Sequence, residues 1–176
     1  MRPCTELGGY VAELANPLRL KVVPVMSEVT AAHVYWVADV GGTSIRWATV
    51  SRSGEMRNLQ ECETSAAHWQ KVWSTVGESE CDGAVVAVAG PVRDGVASLT
   101  NGTLAFDERA LASQLGRPVR VVNDLVASAA GVERGDRTGH LIRGEYADGP
   151  YWVVGIGTGV GASLVLPGSD RAVVLA

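Results

Sequence analysis

Two strand-like segments joined by a short acidic, glycine-rich turn open the readable part of this chain, and that order restricts what it can fold into. His33–Ala38 (HVYWVA) is β-branched, aromatic and apolar, the composition of a buried strand. Asp39-Val40-Gly41-Gly42-Thr43-Ser44 reads as a turn, and Ile45–Val50 alternates apolar and polar positions like the return strand of a hairpin. Farther on, strand and helix patterns alternate. Trp69, Val72, Trp73 and Val76 recur at helical spacing within Thr64–Val76, and Gly83–Ala89 is the continuous apolar run of a strand covered on both faces. Gly95–Leu99 is a short strand. Asp107 is a good N-cap whose neighbour Phe106 can staple onto Leu111, and Gly116 and Pro118 stop that helix. Val119–Val122 is a strand, Leu125–Val132 a helix, Glu133–Pro150 mostly loop, and 151–155, 162–166 and 171–175 are strands. A hairpin followed by alternation predicts an α/β domain with a mixed sheet; an all-parallel dinucleotide-binding sheet would not begin with a hairpin.

The length of 176 residues allows one domain of ordinary size. A net charge of −4 with no basic run argues against nucleic acid or an anionic membrane as the main partner. The apolar stretches are strand-sized, which argues against a membrane span, and Pro3, Glu6, Glu13 and Arg19 interrupt any signal-peptide core. Cys4, Cys62 and Cys81 are odd in number and widely spaced, which fits a reduced, cytoplasmic compartment. Residues 1–30 have no clear period; the real start, or at least the start of the fold, is expected near Met26, the first 25 residues being either an unstructured extension or a misassigned start. His33, His68 and His140 have no metal-ligand spacing, and the five tryptophans read mostly as core.

Four segments can carry chemistry. In Asp39-Val40-Gly41-Gly42-Thr43 the glycines let backbone approach a bulky anion, and Asp39 suits Mg²⁺, an oxygen-seeking cation that bridges phosphates. The same segment also reads as a plain Gly-Gly hairpin turn. Gly155-Ile156-Gly157-Thr158-Gly159-Val160-Gly161 lies between two strands, not before the helix a dinucleotide fingerprint requires. It is either a second phosphate-binding hairpin or a structural turn. Asn123-Asp124 joins a strand to a helix, so it can cap that helix, or Asp124 can act as a general base at a strand's C-terminal end. Asn101, in Thr100-Asn101-Gly102-Thr103, can both donate to and accept from a sugar hydroxyl, or simply form a turn.

Together these motifs resemble the bacterial glucokinases, within the actin-like sugar-kinase superfamily. DVGGTSIRWATV is similar to that family's first phosphate hairpin and AVAGPV to its strand and turn beside the sugar. LTNGTLAFD is similar to the sugar-facing segment, VVNDLVASA to the segment carrying the catalytic base, and GIGTGVGAS to the second phosphate hairpin. The resemblance covers residues 34–176 and implies a ribonuclease-H-like core, here an N-terminal domain over 31–176 without the family's second domain. It implies ATP-dependent phosphorylation of glucose or a similar hexose at its 6-hydroxyl, the first step of glycolysis, with Mg²⁺. Asp124 would be the base, Asn101 and Asn123 sugar ligands beside the Gly90-Pro91 turn, and Asp39 the metal-side acid. Gly41, Gly42, Thr43, Arg46, Gly157, Thr158 and Gly159 would hold phosphates. Leu104 stands where the family commonly has Trp, and Ser44 where it has Asn. The family's later Gly-Glu-x-Gly-His segment is not among these residues, so a fragment with little turnover of its own is expected. The resemblance also allows a homodimer of the full-length protein. A non-catalytic sugar-kinase domain used as a binding or regulatory module, and a member of the repressor-or-kinase group, are the alternatives.

Overall fold

A computed structural model describes residues 33–133, 149–157, 159–166 and 173–175. The expectations for an extension before Met26 and for most of the loop at 133–150 lie outside these residues. The main sheet contains β1 (Val34–Val40), β2 (Ser44–Ser51), β3 (Met56–Glu63), β4 (Gly83–Val88) and β8 (Val119–Asn123). Its spatial order is β3-β2-β1-β4-β8. β1, β2 and β3 pair antiparallel, whereas β4 and β8 run parallel to β1. The mixed, hairpin-started sheet expected from the sequence is therefore the one formed.

β1 extends two residues past its expected end. Asp39 is thus a strand residue paired with Arg46, and the turn is confined to the residues after Val40. The extension follows from burial: Val40 and Ile45, opposite one another, are both fully buried and hold the ladder together to its end.

β3 has no counterpart in the sequence reading. It is an edge strand, exposed along nearly its whole length, so its residues show no apolar face. Its alternation is also broken by a bulge between Trp47 and Thr49 of β2, where Asn58 takes φ 56°, a conformation Asn tolerates. β5 (Val92–Arg93) and β7 (Ala105–Asp107) likewise escaped it. With β6 (Val96–Ser98) they form a small sheet in the order β5-β6-β7. Asp94 and Gly95 have φ of 54° and 79°, the two positive values a tight primed hairpin turn needs. The Asp-Gly pair was the readable signal for that hairpin.

Helix α1 (Ala66–Glu78) is capped by Ser65 and turns Trp69, Val72 and Val76 inward, as its spacing requires. Trp73 packs edge-on against Trp36 of β1 at 5.8 Å, and Trp69 edge-on against Phe106 of β7 at 4.9 Å. These rings join both sheets into one core. Helix α2 (Glu108–Leu115) begins at Asp107, whose carboxylate accepts the Arg109 and Ala110 amides at 2.9 and 3.2 Å. Gly116 ends it with φ 67°. The Glu108 carboxylate accepts Val121 N–H at 3.0 Å on the outer edge of β8 and pairs with Arg120 at 3.1 Å, which closes that edge to further pairing. Helix α3 (Asp124–Glu133) follows β8 directly. A third sheet, ordered β11-β10-β9, comprises β9 (Tyr151–Ile156), β10 (Val160–Leu166) and β11 (Val173–Leu175).

The chain beyond β4 turns at Gly90, where the Ser98 carbonyl occupies the space a side chain would need. Gly90→Ala is expected to lose about 3 kcal/mol of unfolding free energy, the upper range for overpacking, because the obstacle is backbone and cannot swing away. A urea titration checks this.

Candidate active site at the ends of the parallel strands

The parallel register sets Val40, Val88 and Asn123 side by side at the carboxyl ends of β1, β4 and β8. Open α/β sheets collect ligand groups at this edge. Asp39 precedes Val40, Gly90 follows Val88 by two residues, and Asp124 follows Asn123. Expected site residues far apart in sequence are therefore brought to one edge.

Asn123 caps α3. Its Oδ1 accepts the Leu125 and Val126 amides at 3.0 and 3.1 Å, and its Nδ2 donates to the Gly90 carbonyl at 3.1 Å and to Asp124 Oδ1 at 3.0 Å. The cap also ties β8 to the Gly90 turn. All four bonds that an amide can make are in place, so direct contact with a ligand requires one to be given up. Asp124 Oδ1 also accepts the Leu125 amide at 3.0 Å, while its Oδ2 accepts no bond among the described residues. The carboxylate is held by one oxygen and open at the other.

Asp39 lies in a charged row. It is opposite Arg46, which is in turn opposite Glu61, and Arg46 Nε donates to Glu61 Oε1 at 3.1 Å. Burial pushes the Asp39 carboxyl up from its ordinary value; Arg46 opposes this, and Asp124 and Glu61 reinforce it. Asp39 nonetheless keeps exposed surface, which keeps the effect modest. The influence of Asp124 on Asp39 means that the two carboxylates share one electrostatic environment. One or two carboxylates with phosphate oxygens suit Mg²⁺, so Asp39 beside Asp124 fits that ion. The described residues hold no cluster of three or more metal-ligating side chains.

The turn after β1 is stapled from both sides. Gly41 N–H donates to Ser44 O at 2.9 Å, and Thr64 donates its hydroxyl to Gly41 O at 2.8 Å and its amide to Thr43 O at 3.0 Å. Neither Gly41 nor Gly42 has a positive φ, and a methyl group on Gly42 would meet nothing. The fold does not require glycine at 42; what glycine supplies there is open backbone. Thr64, expected at the start of the helical segment, lies before the Ser65 cap of α1 and anchors this turn instead, a contact that nothing in the sequence marks.

The 155–161 segment is the β9–β10 hairpin, with Ile156 opposite Val160 and Gly155 opposite Gly161. Its glycines divide by role. A Cβ on Gly155 or Gly161 would lie 2.7 or 2.5 Å from a Leu125 methyl, so these two let the hairpin lie against the first turn of α3. Gly157 and Gly159 face open space at the tip, closed by Gly157 N–H to Gly159 O at 2.9 Å. Thr158 is outside the described residues. Leu125, adjacent to Asp124, thus sets where the glycine tip falls. Asn101 and Pro91 are exposed in neighbouring loops, and Thr100 anchors the Asn101 loop through its amide and hydroxyl to Ala89 O, both at 3.2 Å. Leu104 is buried in the core rather than presented at the edge.

The glucokinase family model matches residues 36–176. This chain belongs to the glucokinase family. It is 31% identical over 149 residues to the glucokinase of Marinobacter nauticus, covering 79% of this chain and 46% of that protein. Among solved structures, a glucokinase from an Antarctic psychrotroph superposes with a TM-score of 0.66 at 25% identity, over 81% of this chain and 49% of that one. A glucokinase of the ROK family from Streptomyces griseus, solved with glucose and AMPPNP, shares the fold with a TM-score of 0.62 at 22% identity, over 79% of this chain and 46% of that one. The chain spans about half the length of the relatives it matches. No described helix of this glucokinase-family chain is long and apolar enough to cross a membrane.

Because the folded state disfavours charged Asp39, this residue costs stability at neutral pH and nothing once protonated in both states. Asp39→Asn is expected to raise the urea midpoint at pH 7, and the gain should shrink as the pH is lowered toward about 4. A gain that persists at low pH would refute the assignment.

Proposed function

We propose that the protein to which this segment belongs phosphorylates glucose, or a similar hexose, at the 6-hydroxyl with ATP, in the cytoplasm, as the entry step of glycolysis. The observation that carries the reading is the Asp124 carboxylate. One oxygen is held by Asn123 and the Leu125 amide, which leaves Oδ2 directed by the cap and open to a substrate hydroxyl. In this reading Oδ2 takes the proton of the sugar hydroxyl as that oxygen attacks the γ-phosphorus. The bond from the γ-phosphorus to the β–γ bridging oxygen breaks, and ADP leaves. Such transfers are accelerated chiefly by positioning and charge neutralisation.

Asn101 and the Gly90-Pro91 turn bound the sugar side, and Asn123 keeps Asp124 in place and reaches the sugar when one of its own bonds yields. The Gly41-Gly42-Thr43 turn, with its open backbone at Gly42, takes one set of phosphate oxygens, with Arg46 alongside. The tip at Gly157, Thr158 and Gly159 takes another. Mg²⁺, held on the Asp39 side, would neutralise phosphate charge when bound. Support comes from family membership, from the meeting of these residues at one strand edge, and from the Streptomyces griseus relative, solved with glucose and AMPPNP. The chain spans 46% of the Marinobacter nauticus glucokinase, so we assign turnover to a protein of the family's full length.

In an enzyme of that length carrying this segment, Asp124→Asn should lower kcat by about 10²–10⁴-fold, the usual contribution of a placed base, with an unchanged circular dichroism spectrum. Asn keeps the oxygen that accepts the Leu125 amide and loses the base. Turnover within twofold of the parent in a coupled assay would reject the role.

A further inference from the structure

The peptide between Gly41 and Gly42 is the least constrained unit of the turn after β1. Neither residue carries a Cβ to oppose rotation, so this peptide can turn its carbonyl or its N–H toward a ligand at little steric cost. The turn's own bond, from Gly41 N–H to Ser44 O at 2.9 Å, does not choose between the two. Thr64 does. Its hydroxyl donates to Gly41 O at 2.8 Å, and its amide donates to Thr43 O at 3.0 Å. A trans peptide points its N–H opposite to its C=O. With the Gly41 carbonyl drawn to Thr64, the Gly42 N–H therefore points away from Thr64, and it meets no acceptor among the described residues.

Thr64 is itself a fixed post. It lies between Glu63, the last residue of β3, and Ser65, the cap of α1. Glu63 is registered opposite Ser44, and its carbonyl lies 2.8 Å from His68 Nδ1. Ser65 Oγ accepts the His68 amide at 3.1 Å, and Ser65 O accepts the amide of Trp69, which is buried in the core. β3 is exposed along nearly its whole length and adds little to the core, yet it delivers Thr64 to the turn.

We propose that Thr64 is a positioning residue for phosphoryl transfer: by holding the Gly41 carbonyl, it keeps the Gly42 N–H aimed at the phosphate oxygens of bound ATP. The ligand is taken from the phosphoryl-transfer reading above, on which this assignment rests; the part played by Thr64 comes from its own bonds. Exposed N–H groups in a turn attract anions, and a flipped peptide would replace the donor with a carbonyl oxygen that repels phosphate. The effect is confined to the nucleotide side, because none of the Thr64 bonds goes to Gly90, Asn123 or Asp124.

The test uses an enzyme of the family's full length carrying this segment. Thr64→Val removes the hydroxyl but keeps the shape and the amide; Thr64→Ser keeps the hydroxyl. Thr64→Val should raise the KM for ATP and the Kd for AMPPNP about tenfold, the scale of one net hydrogen bond, and leave the KM for glucose within about twofold. Thr64→Ser should stay within about twofold of the parent in all three. A residue that only supports the fold would lower the active fraction and leave the KM for ATP unchanged. That result overturns the assignment, as does an equal rise in both KM values or a Thr64→Ser as impaired as Thr64→Val. The binding arm separates Thr64 from the reaction: if the parent binds AMPPNP but does not phosphorylate glucose, the reaction reading fails and Thr64 is judged by Kd alone. A parent that binds no AMPPNP overturns the assignment. If Thr64→Val does not fold, NMR of the parent with isotope-labelled glycine decides. The Gly42 amide resonance, identified by its loss in Gly42→Ala, should move downfield on adding AMPPNP, and one that stays in place overturns the assignment.

Discussion

The parallel pairing of β1, β4 and β8 fixes the geometry on which every other feature of the site depends. With Val40, Val88 and Asn123 level across three strands, the residues just before or after them converge at one edge. The pairing is held by what lies beneath it. Val40, Val86 and Val88 are fully buried, and Trp36 carries the core across to the α1 tryptophans. A one-residue slip would turn this buried set outward, so hydrophobic burial and site geometry are enforced by the same register.

Around that edge, the helix cap and the proposed chemistry use the same atoms. Asn123 satisfies the first amides of α3 and links to the Gly90 carbonyl; in doing so it holds one oxygen of Asp124. Leu125, the next residue, meets the two glycines that seat the β9–β10 hairpin. Three consecutive residues thus join a strand end, a helix start and a glycine tip. Asp39 is the counterweight. Burial and acidic neighbours raise its pKa, so the group proposed to face the cation is also one the fold disfavours when charged.

Much of this was legible in the sequence where the signal was local. The Asp107 cap, the Gly116 stop and the 3.6-residue spacing in α1 are short-range rules, and the structure obeys them. The hairpin-first order was enough to separate the fold from an all-parallel sheet. What was not legible depended on partners distant in sequence. β3 looks polar because it is an exposed edge, and the bulge at Asn58 hides its period. The four glycines of 155–161 look equivalent until Leu125 distinguishes them. Thr64 and Glu61 gain their places only through the register of β2 with β3. The overlooked Asp94-Gly95 turn was a local signal, outweighed by reading Gly95 as the start of a strand.

The central claim is that Asp39 and Asp124 share one site at the strand edge. Carboxyl-carbon NMR titration of this chain, parent and Asp124→Asn, tests it most directly. Asp39 is expected to titrate above the ordinary aspartate value and to move down when the Asp124 charge is removed. An Asp39 that titrates at the ordinary value and is indifferent to Asp124 would contradict the account.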